Sequence, residues 1–206
     1  DGNLDPSTRA RGTVQLVTEG KILRALLEDL ASAGGGDRVD VAMFYLSERQ
    51  VVEALLDAQA RGAEVRLILD PNKDAFGRQK GGVPNRQVAR ELVTRSGGRI
   101  RVRWYDTRGE QFHTKLVVVT RGESMTVMGG SANLTRRNID NYNLEADLRF
   151  RVPAHSPLAQ EVSRYFERLF TNEGGEFTLP VEAYWHQGLL KRILYRFQEF
   201  TGFSSF

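Results

Sequence analysis

The stretch Arg38-Val-Asp-Val-Ala-Met-Phe-Tyr-Leu46 is a mostly apolar run with the length of a buried β-strand. After it, Ser47 has the side chain of a helix N-cap, and apolar residues recur at helical spacing as far as Arg61. Gly62 then ends the helix, and Ala63–Leu69 is a second apolar run of strand length. A strand, a helix and a strand in this order predict a parallel strand pair with a right-handed crossover.

The same alternation of strands and helices continues on both sides of this unit. Further strands are predicted at Thr13–Val17, Arg99–Trp104, Phe112–Val119, Met125–Met128 and Asn143–Val152, and further helices at Glu19–Ala33, Asn85–Ser96 and Pro157–Phe170. The pattern predicts an α/β fold with a mixed, mostly parallel β-sheet and helices on both faces. Residues 1–12 are expected to be a polar arm or linker, 13–180 the domain, and 181–206 an amphipathic helical tail packed on the domain or on a partner.

Composition narrows the classes of function. The 206 residues suffice for one domain with a substantial core, and the net charge of +3 suits an anionic substrate. The sequence has no cysteine, which excludes disulfides and thiolate chemistry. No run approaches the roughly 18 apolar residues of a membrane-spanning helix. No His, Asp and Glu cluster has the spacing of metal ligands, so neither a metal nor a cofactor is expected.

Two segments carry the candidate chemistry, Phe112-His-Thr-Lys-Leu-Val-Val-Val119 and Gly129-Gly-Ser-Ala-Asn-Leu-Thr135. In a strand, His113 and Lys115 point to the same face because side chains alternate between faces. A neutral imidazole can attack phosphorus while the neighbouring ammonium neutralises the non-bridging oxygens of a phosphate. This pair therefore predicts a site that acts on a phosphate ester.

The second segment adds groups that suit phosphate oxygens. Gly130 is expected to let the backbone approach a ligand closely, because it has no side chain. Asn133 offers amide donors, and Ser131 and Thr135 offer hydroxyl groups. A nucleophilic histidine also needs its second ring nitrogen oriented, usually by a carboxylate, and Glu145 is the candidate for that role.

A His-x-Lys pair or a Gly-Ser-x-Asn turn alone is common, but both in this order, followed by an acidic strand, are far more specific. Together they resemble the signature of the phospholipase D superfamily, His-x-Lys-x4-Asp followed by Gly-Ser-x-Asn. The matching residues are His113, Lys115, Gly130, Ser131 and Asn133. The resemblance implies that Glu145 corresponds to the family's glutamate, which orients the nucleophilic histidine.

The resemblance covers most of the chain, from about Val14 to the end. Segments similar to the bacterial cardiolipin synthase and phospholipase D-like branch are Val39–Leu46, Arg61–Asp70, Pro71–Gly77 and Tyr195–Gly202. One departure is Thr120, which stands where the family has its aspartate, and the spacing from there to Gly130 is slightly longer than usual. That aspartate is mainly structural in the family, so the resemblance implies altered turn geometry rather than lost activity.

The resemblance also implies a mechanism for a catalytic domain at residues 13–180. Family members use two facing motifs and no metal: one histidine forms a phosphohistidine, and the other protonates the leaving alcohol. This chain carries one motif, since neither His155 nor His186 has a lysine two residues later. The second motif is therefore expected from a homodimer mate or from the missing half of a two-motif enzyme. The start at Asp1 and the family-like C-terminal stretch favour the second arrangement.

The favoured function is a phosphodiesterase or phosphatidyltransferase that acts on phospholipids. Arg136 and Arg137, which directly follow the phosphate loop, are candidate substrate contacts, and the tail is a candidate contact with a membrane surface. One alternative is a metal-independent endonuclease of the same superfamily, with nucleic acid as substrate. Another is a non-catalytic half or binding module. The expected location is the bacterial cytoplasm or its membrane surface, an N-terminal targeting signal having been removed if one existed.

Overall fold

Strands and helices alternate along the chain in the computed structural model, which describes residues 12–72, 74–75, 78–79, 82–139 and 143–185. The strands are β1 (Thr13–Thr18), β2 (Arg38–Met43), β3 (Glu64–Leu69), β4 (Asp74–Ala75), β5 (Arg78–Gln79), β6 (Arg101–Tyr105), β7 (Lys115–Arg121), β8 (Ser124–Gly130), β9 (Ala146–Pro153) and β10 (Thr178–Pro180). The helices are α1 (Gly20–Ala31), α2 (Arg49–Ala60), α3 (Asn85–Arg95), α4 (Arg136–Ile139) and α5 (Pro157–Thr171), with a 3₁₀ turn at Val181–Tyr184. Residues 1–11 of the expected arm and 186–206 of the expected amphipathic tail lie outside the described residues.

Eight of these strands form one mixed sheet in the order β1-β9-β8-β7-β2-β3-β6-β10, and β4 pairs with β5. The predicted parallel pairing of β2 with β3 is confirmed, and β6 continues it on the far side of β3. The expectation of a mostly parallel sheet is wrong, because the other five neighbouring pairs in the sheet are antiparallel. A parallel connection needs a dozen or more residues, whereas only Gly122 and Glu123 join β7 to β8.

Helices cover both faces of the sheet, as predicted. The apolar faces of α1, α2 and α3 pack on one side, against β2 residues that include Val39, Val41 and Met43. On the other side, Phe166 of α5 packs against Ala42 of the same strand, as the alternation of side chains requires. Among the helices that the structure describes, none has both the length and the apolar composition required to cross a bilayer.

Helix α2 begins later than the sequence predicts. Its N-cap is Glu48, whose side chain accepts a hydrogen bond from the backbone N–H of Gln50, so Ser47 is not the cap. The reason is tertiary: the N–H groups of Ser47 and Glu48 both donate to the carbonyl of Leu134, at 2.8 and 2.9 Å. The chain after β2 therefore stays extended long enough to pair with the loop that follows β8.

A buried ion pair lies between the sheet and α5. The Arg66 guanidinium on β3 donates to both carboxylate oxygens of Asp40 on β2, at 2.7 and 2.9 Å, and also contacts Glu167 at 2.8 Å. It also lies 5.0 Å from the ring centroids of Phe166 and Phe170. Burial raises the pKa of Asp40 even though Arg66 lowers it. Removing the arginine would therefore leave a desolvated carboxylate without its bidentate partner.

We expect Arg66→Met to lower the free energy of unfolding at pH 7 by about 3–5 kcal/mol, the usual cost of leaving a buried charge unpaired. The loss should shrink as pH falls, because a carboxyl group whose folded pKa is raised destabilises the fold only when it is ionised. Adding Asp40→Leu should recover most of the lost stability. Urea denaturation over a pH series measures each of these effects.

The matched control is Arg101→Met, which removes an arginine whose pair with Glu64 is about half exposed. That change should cost about 1 kcal/mol or less. If the Arg66 and Arg101 variants lost equal free energy of unfolding, the buried ion pair of Arg66 would contribute no more to stability than an exposed one.

Candidate active site

The candidate site lies at the carboxyl ends of the parallel strands β2 and β3. His113 and Lys115 stand at the start of β7, which runs antiparallel to β2. The N–H of Phe44, the residue after β2, donates to the carbonyl of Thr114 at 2.9 Å and extends that pairing. Ligand sites of open α/β sheets lie at this carboxyl edge of the parallel strands. His113 is therefore just outside β7 rather than within it, because its sheet neighbour β2 has already ended.

A buried carboxylate fixes the backbone in front of the histidine. Asp70, the residue after β3, is 1% exposed, and its Oδ2 accepts a hydrogen bond from the N–H of Phe112 at 2.7 Å. Its Oδ1 accepts from the N–H of Asn72 at 2.6 Å. Asn85 is fully buried and donates to the carbonyls of both Phe44 and Asp70, at 2.7 and 2.9 Å. These polar residues were missed in the sequence, although the position of Asp70 directly after the apolar strand β3 is a recognisable signal.

His113 and Lys115 lie side by side. The Lys115 Nζ is 3.2 Å from Nδ1 and 3.3 Å from Nε2 of His113, and it donates to the His113 carbonyl at 3.0 Å. The Phe44 ring lies beneath the imidazole, with centroids 4.8 Å apart and planes tilted by 51°. The predicted proximity of the imidazole and the ammonium is confirmed by these distances.

The surroundings favour the neutral form of the imidazole. His113 stays accessible to solvent, but partial desolvation lowers its pKa below the ordinary 6.5, and the charge of Lys115 lowers it further. Burial also lowers the pKa of Lys115, while the carboxylates of Glu145 and Asp147 oppose that shift. The direction of the His113 shift favours the neutral imidazole, which is the form that a nucleophilic histidine requires.

We expect NMR titration to give His113 a pKa below 6.5, and Lys115→Met to raise it because the neighbouring positive charge is removed. The His113 ring signals can be assigned by their loss in His113→Gln. The control is Lys21→Met, which removes an exposed lysine on α1 and should leave the titration unchanged. A pKa that does not respond to Lys115→Met would contradict the side-by-side arrangement.

The loop after β8 docks against the chain that leaves β2. The N–H of Leu134 donates to the carbonyl of Tyr45 at 3.0 Å, and the N–H of Ala132 donates to Asp147 Oδ1 at 3.1 Å. Asn133 lies between these two anchored residues. Its Oδ1 is buried and has no hydrogen-bond partner among the described residues. An amide oxygen accepts hydrogen bonds and cannot donate one to a phosphate oxygen, so the phosphate-binding role of Asn133, which would use its NH₂ group, stays a prediction.

The packing of the neighbouring strand gives a reason why position 130 is a glycine. A Cβ at this position would lie 2.3 Å from both the Ala146 carbonyl oxygen and Asp147 Oδ1. Strand β9, to which Gly130 pairs at Asp147, approaches this residue closely, and a close approach by a ligand stays a prediction. The same contact places the buried Asp147 behind the loop, where burial raises the pKa of its carboxyl group.

We expect Gly130→Ala to destabilise the protein by about 1–3 kcal/mol or more, because the new methyl group must push β9 away. Chemical denaturation measures the change. The control is Gly35→Ala, whose added Cβ would meet its nearest neighbouring atom, the Arg61 carbonyl oxygen, at an ordinary 3.8 Å. Similar stability of the Gly130 and Gly35 variants would be incompatible with the close packing of β8 on β9.

Glu145 stands just before β9, and both of its carboxylate oxygens accept hydrogen bonds from side chains. Ser131 Oγ donates to Oε2, and Asn138 Nδ2 donates to Oε1. The hydroxyl of the buried Thr135 donates to Asn138 Oδ1 at 2.7 Å. The hydroxyl groups of Ser131 and Thr135, expected to bind phosphate, are thus engaged by Glu145 and Asn138. The described neighbour of His113 is Lys115, and the orientation of His113 by Glu145 stays a prediction.

Asn138 is a further residue of the site that the motif did not reveal. The neighbouring Arg136 and Arg137 are exposed on α4, and their contact with a substrate stays a prediction.

The family profile described as "Cardiolipin synthase, PLD-like domain" matches residues 26–170, which include the whole site and most of the sheet. The chain belongs to this family. Its fold is that of the phospholipase D-like phosphodiesterases, as the resemblance of the motifs implied. A comparison with curated protein sequences found no match.

Solved structures share this phospholipase D-like fold. Nuc of Salmonella typhimurium, a phospholipase D family member, is 19% identical, with a TM-score of 0.58 over 78% of this chain and 95% of its own. NucT from Helicobacter pylori is 18% identical, with a TM-score of 0.59 over 78% and 96% of the two chains. Phosphatidylserine synthase of Haemophilus influenzae Rd KW20 is 14% identical, with a TM-score of 0.60 over 93% of this chain and 46% of its own. At these identities the likeness establishes the fold.

The departure from the phospholipase D signature at Thr120 lies far from the site. Thr120 pairs with Arg38 and Met125 near the other end of β7. Thr120 lies five residue steps along the strand from Lys115, a distance of roughly 17 Å. Because five is an odd number of steps, the two side chains point to opposite faces of the sheet. Thr120 therefore makes no direct contribution to phosphate binding.

Proposed function

We propose that this chain is the nucleophile-bearing unit of a phospholipase D-type phosphodiesterase, with residues 13–180 as its catalytic domain. The observation that carries the proposal is the contact of Lys115 Nζ with the His113 ring, at 3.2 and 3.3 Å, at an accessible edge of the sheet. The lowered pKa of His113 supports it, because only the neutral ring has a lone pair for phosphorus.

The reaction proceeds in two displacements at phosphorus. A nitrogen of His113 forms a bond to phosphorus, the bond from phosphorus to the leaving alcohol oxygen breaks, and an acid protonates that oxygen. Water or an acceptor alcohol then gives a proton to the same group and attacks the phosphohistidine, and the nitrogen–phosphorus bond breaks. Lys115 and the Asn133 amide stabilise the negative charge on the non-bridging oxygens.

The acid and base of this scheme come from a second histidine on a partner. The described part of this chain contains one such motif, and its other histidine, His155, lies in an exposed turn after β9. A homodimer mate or a separate motif-bearing half supplies the second group. Phospholipid is the proposed substrate, because the matching profile is that of cardiolipin synthase.

We expect the wild-type chain, with its partner motif, to hydrolyse bis(p-nitrophenyl) phosphate in the presence of EDTA. His113→Ala should reduce kcat about 10³-fold or more, as expected when a nucleophile is removed. His155→Ala is the matched control and should retain the wild-type rate. Acid-quenched enzyme should contain phosphohistidine in the wild type alone. Equal rates for wild type and His113→Ala would leave the non-catalytic module as the remaining interpretation.

The same enzyme preparations decide the substrate class. Phosphatidylglycerol vesicles and single-stranded DNA are offered in parallel over a series of salt concentrations. Turnover of the lipid supports the proposal. Cleavage of the DNA, with a rate that falls steeply as salt rises, would identify the chain as the endonuclease alternative.

A further inference from the structure

Asn138 lies behind the candidate site and is 6% exposed, although it belongs to none of the motif positions. It is on the short helix α4, three residues after Thr135 and seven before Glu145. Both ends of its side-chain amide are engaged by those two residues. A buried polar side chain with two such partners has a fixed place in the structure.

The direction of the Asn138 amide follows from its two partners. Glu145 Oε1 is a carboxylate oxygen, which only accepts hydrogen bonds, so it must face the amide NH₂ group. The amide oxygen then faces Thr135, whose hydroxyl group donates to it at 2.7 Å. The reversed amide would set two acceptors against each other at Glu145. The Thr135 hydroxyl and the Glu145 carboxylate therefore hold Asn138 in a single orientation.

Ser131 holds the second carboxylate oxygen in the same manner. Its hydroxyl oxygen accepts the N–H of Ala146 at 3.1 Å, which leaves the hydroxyl proton to be donated to Glu145 Oε2. Glu145 is thus clamped from two sides, by a serine and by an oriented amide. The charges of Glu145 and Asp147 act on Lys115 and oppose the fall that burial causes in its pKa.

We propose that Asn138 is a positioning residue that holds the Glu145 carboxylate in place at the candidate site. Ser131 and Thr135 then act mainly through this carboxylate. The consequence of the clamp for catalysis rests on the proposed function, whereas its effect on the pKa of Lys115 does not. The clamp can therefore be tested whether or not phosphodiester cleavage is found.

The test is the titration of Lys115 in protein labelled with ¹³C-lysine, followed through the ε-carbon shift. The sequence has five lysines, and the Lys115 signal is assigned by its loss in Lys115→Arg. Asn138→Leu should lower the Lys115 midpoint by about 1 pH unit, because the released carboxylate moves away from the ammonium. Thr135→Val, which removes only the hydroxyl that orients the amide, should lower it by less. Glu145→Gln should lower it at least as much as Asn138→Leu.

A double-mutant cycle separates positioning from general damage to the fold. In the Glu145→Gln background, adding Asn138→Leu should leave the Lys115 midpoint unchanged, because the charge that Asn138 holds is already absent. An equal further fall in that background would overturn the proposal, as would an unchanged midpoint in the Asn138→Leu and Thr135→Val single variants. Amide spectra verify folding, and if Asn138→Leu does not fold, the cycle is run with Thr135→Val.

Discussion

The buried carboxylate of Asp70 is the constraint on which the rest of the site depends. One oxygen binds the N–H of Phe112 and the other binds Asn72, so the end of β3 is tied to the residue before His113. Asn85 continues the network to Phe44, which lies under the imidazole. Each of these buried groups would cost about 1–3 kcal/mol if it lost its partner, so the network is rigid as a unit. His113 is held in place as well, because its backbone follows directly from the anchored Phe112.

Several charged side chains surround this fixed backbone. Lys115 lies beside His113, and the charges of Glu145 and Asp147 act on Lys115. Burial lowers the pKa of Lys115 and the two carboxylates oppose that shift, while desolvation and then the charge of Lys115 lower the pKa of His113. In the proposed reaction, a phosphodiester would meet the Lys115 side chain and the His113 ring together.

The sequence predicts most strands and helices and the neighbouring positions of His113 and Lys115, because these follow from the local spacing of residues. Hydrophobic spacing located β2, α2 and β3, and the predicted proximity of His113 and Lys115 is observed although His113 lies just before β7. The direction of most strand pairs was missed, since periodicity reports which face is buried but not which neighbour is adjacent. Asn138 and the reason for Gly130 were also missed, because both depend on contacts with β9 and Glu145 that form only in the folded chain.

The residues from His113 to Asp147 form a local unit, because β7, β8 and β9 are consecutive antiparallel neighbours. Such contacts close short loops, so they cost little chain entropy and can form early during folding. The bond from Phe112 to Asp70 instead spans 42 residues of sequence. We expect the unit of β7, β8 and β9 to form before the bond from Phe112 to Asp70, so that the Phe112 amide gains protection from hydrogen exchange only with the later step. In this sense, the proposed chemical activity of the site depends on the long-range contact between Phe112 and Asp70, and the motif alone is not sufficient.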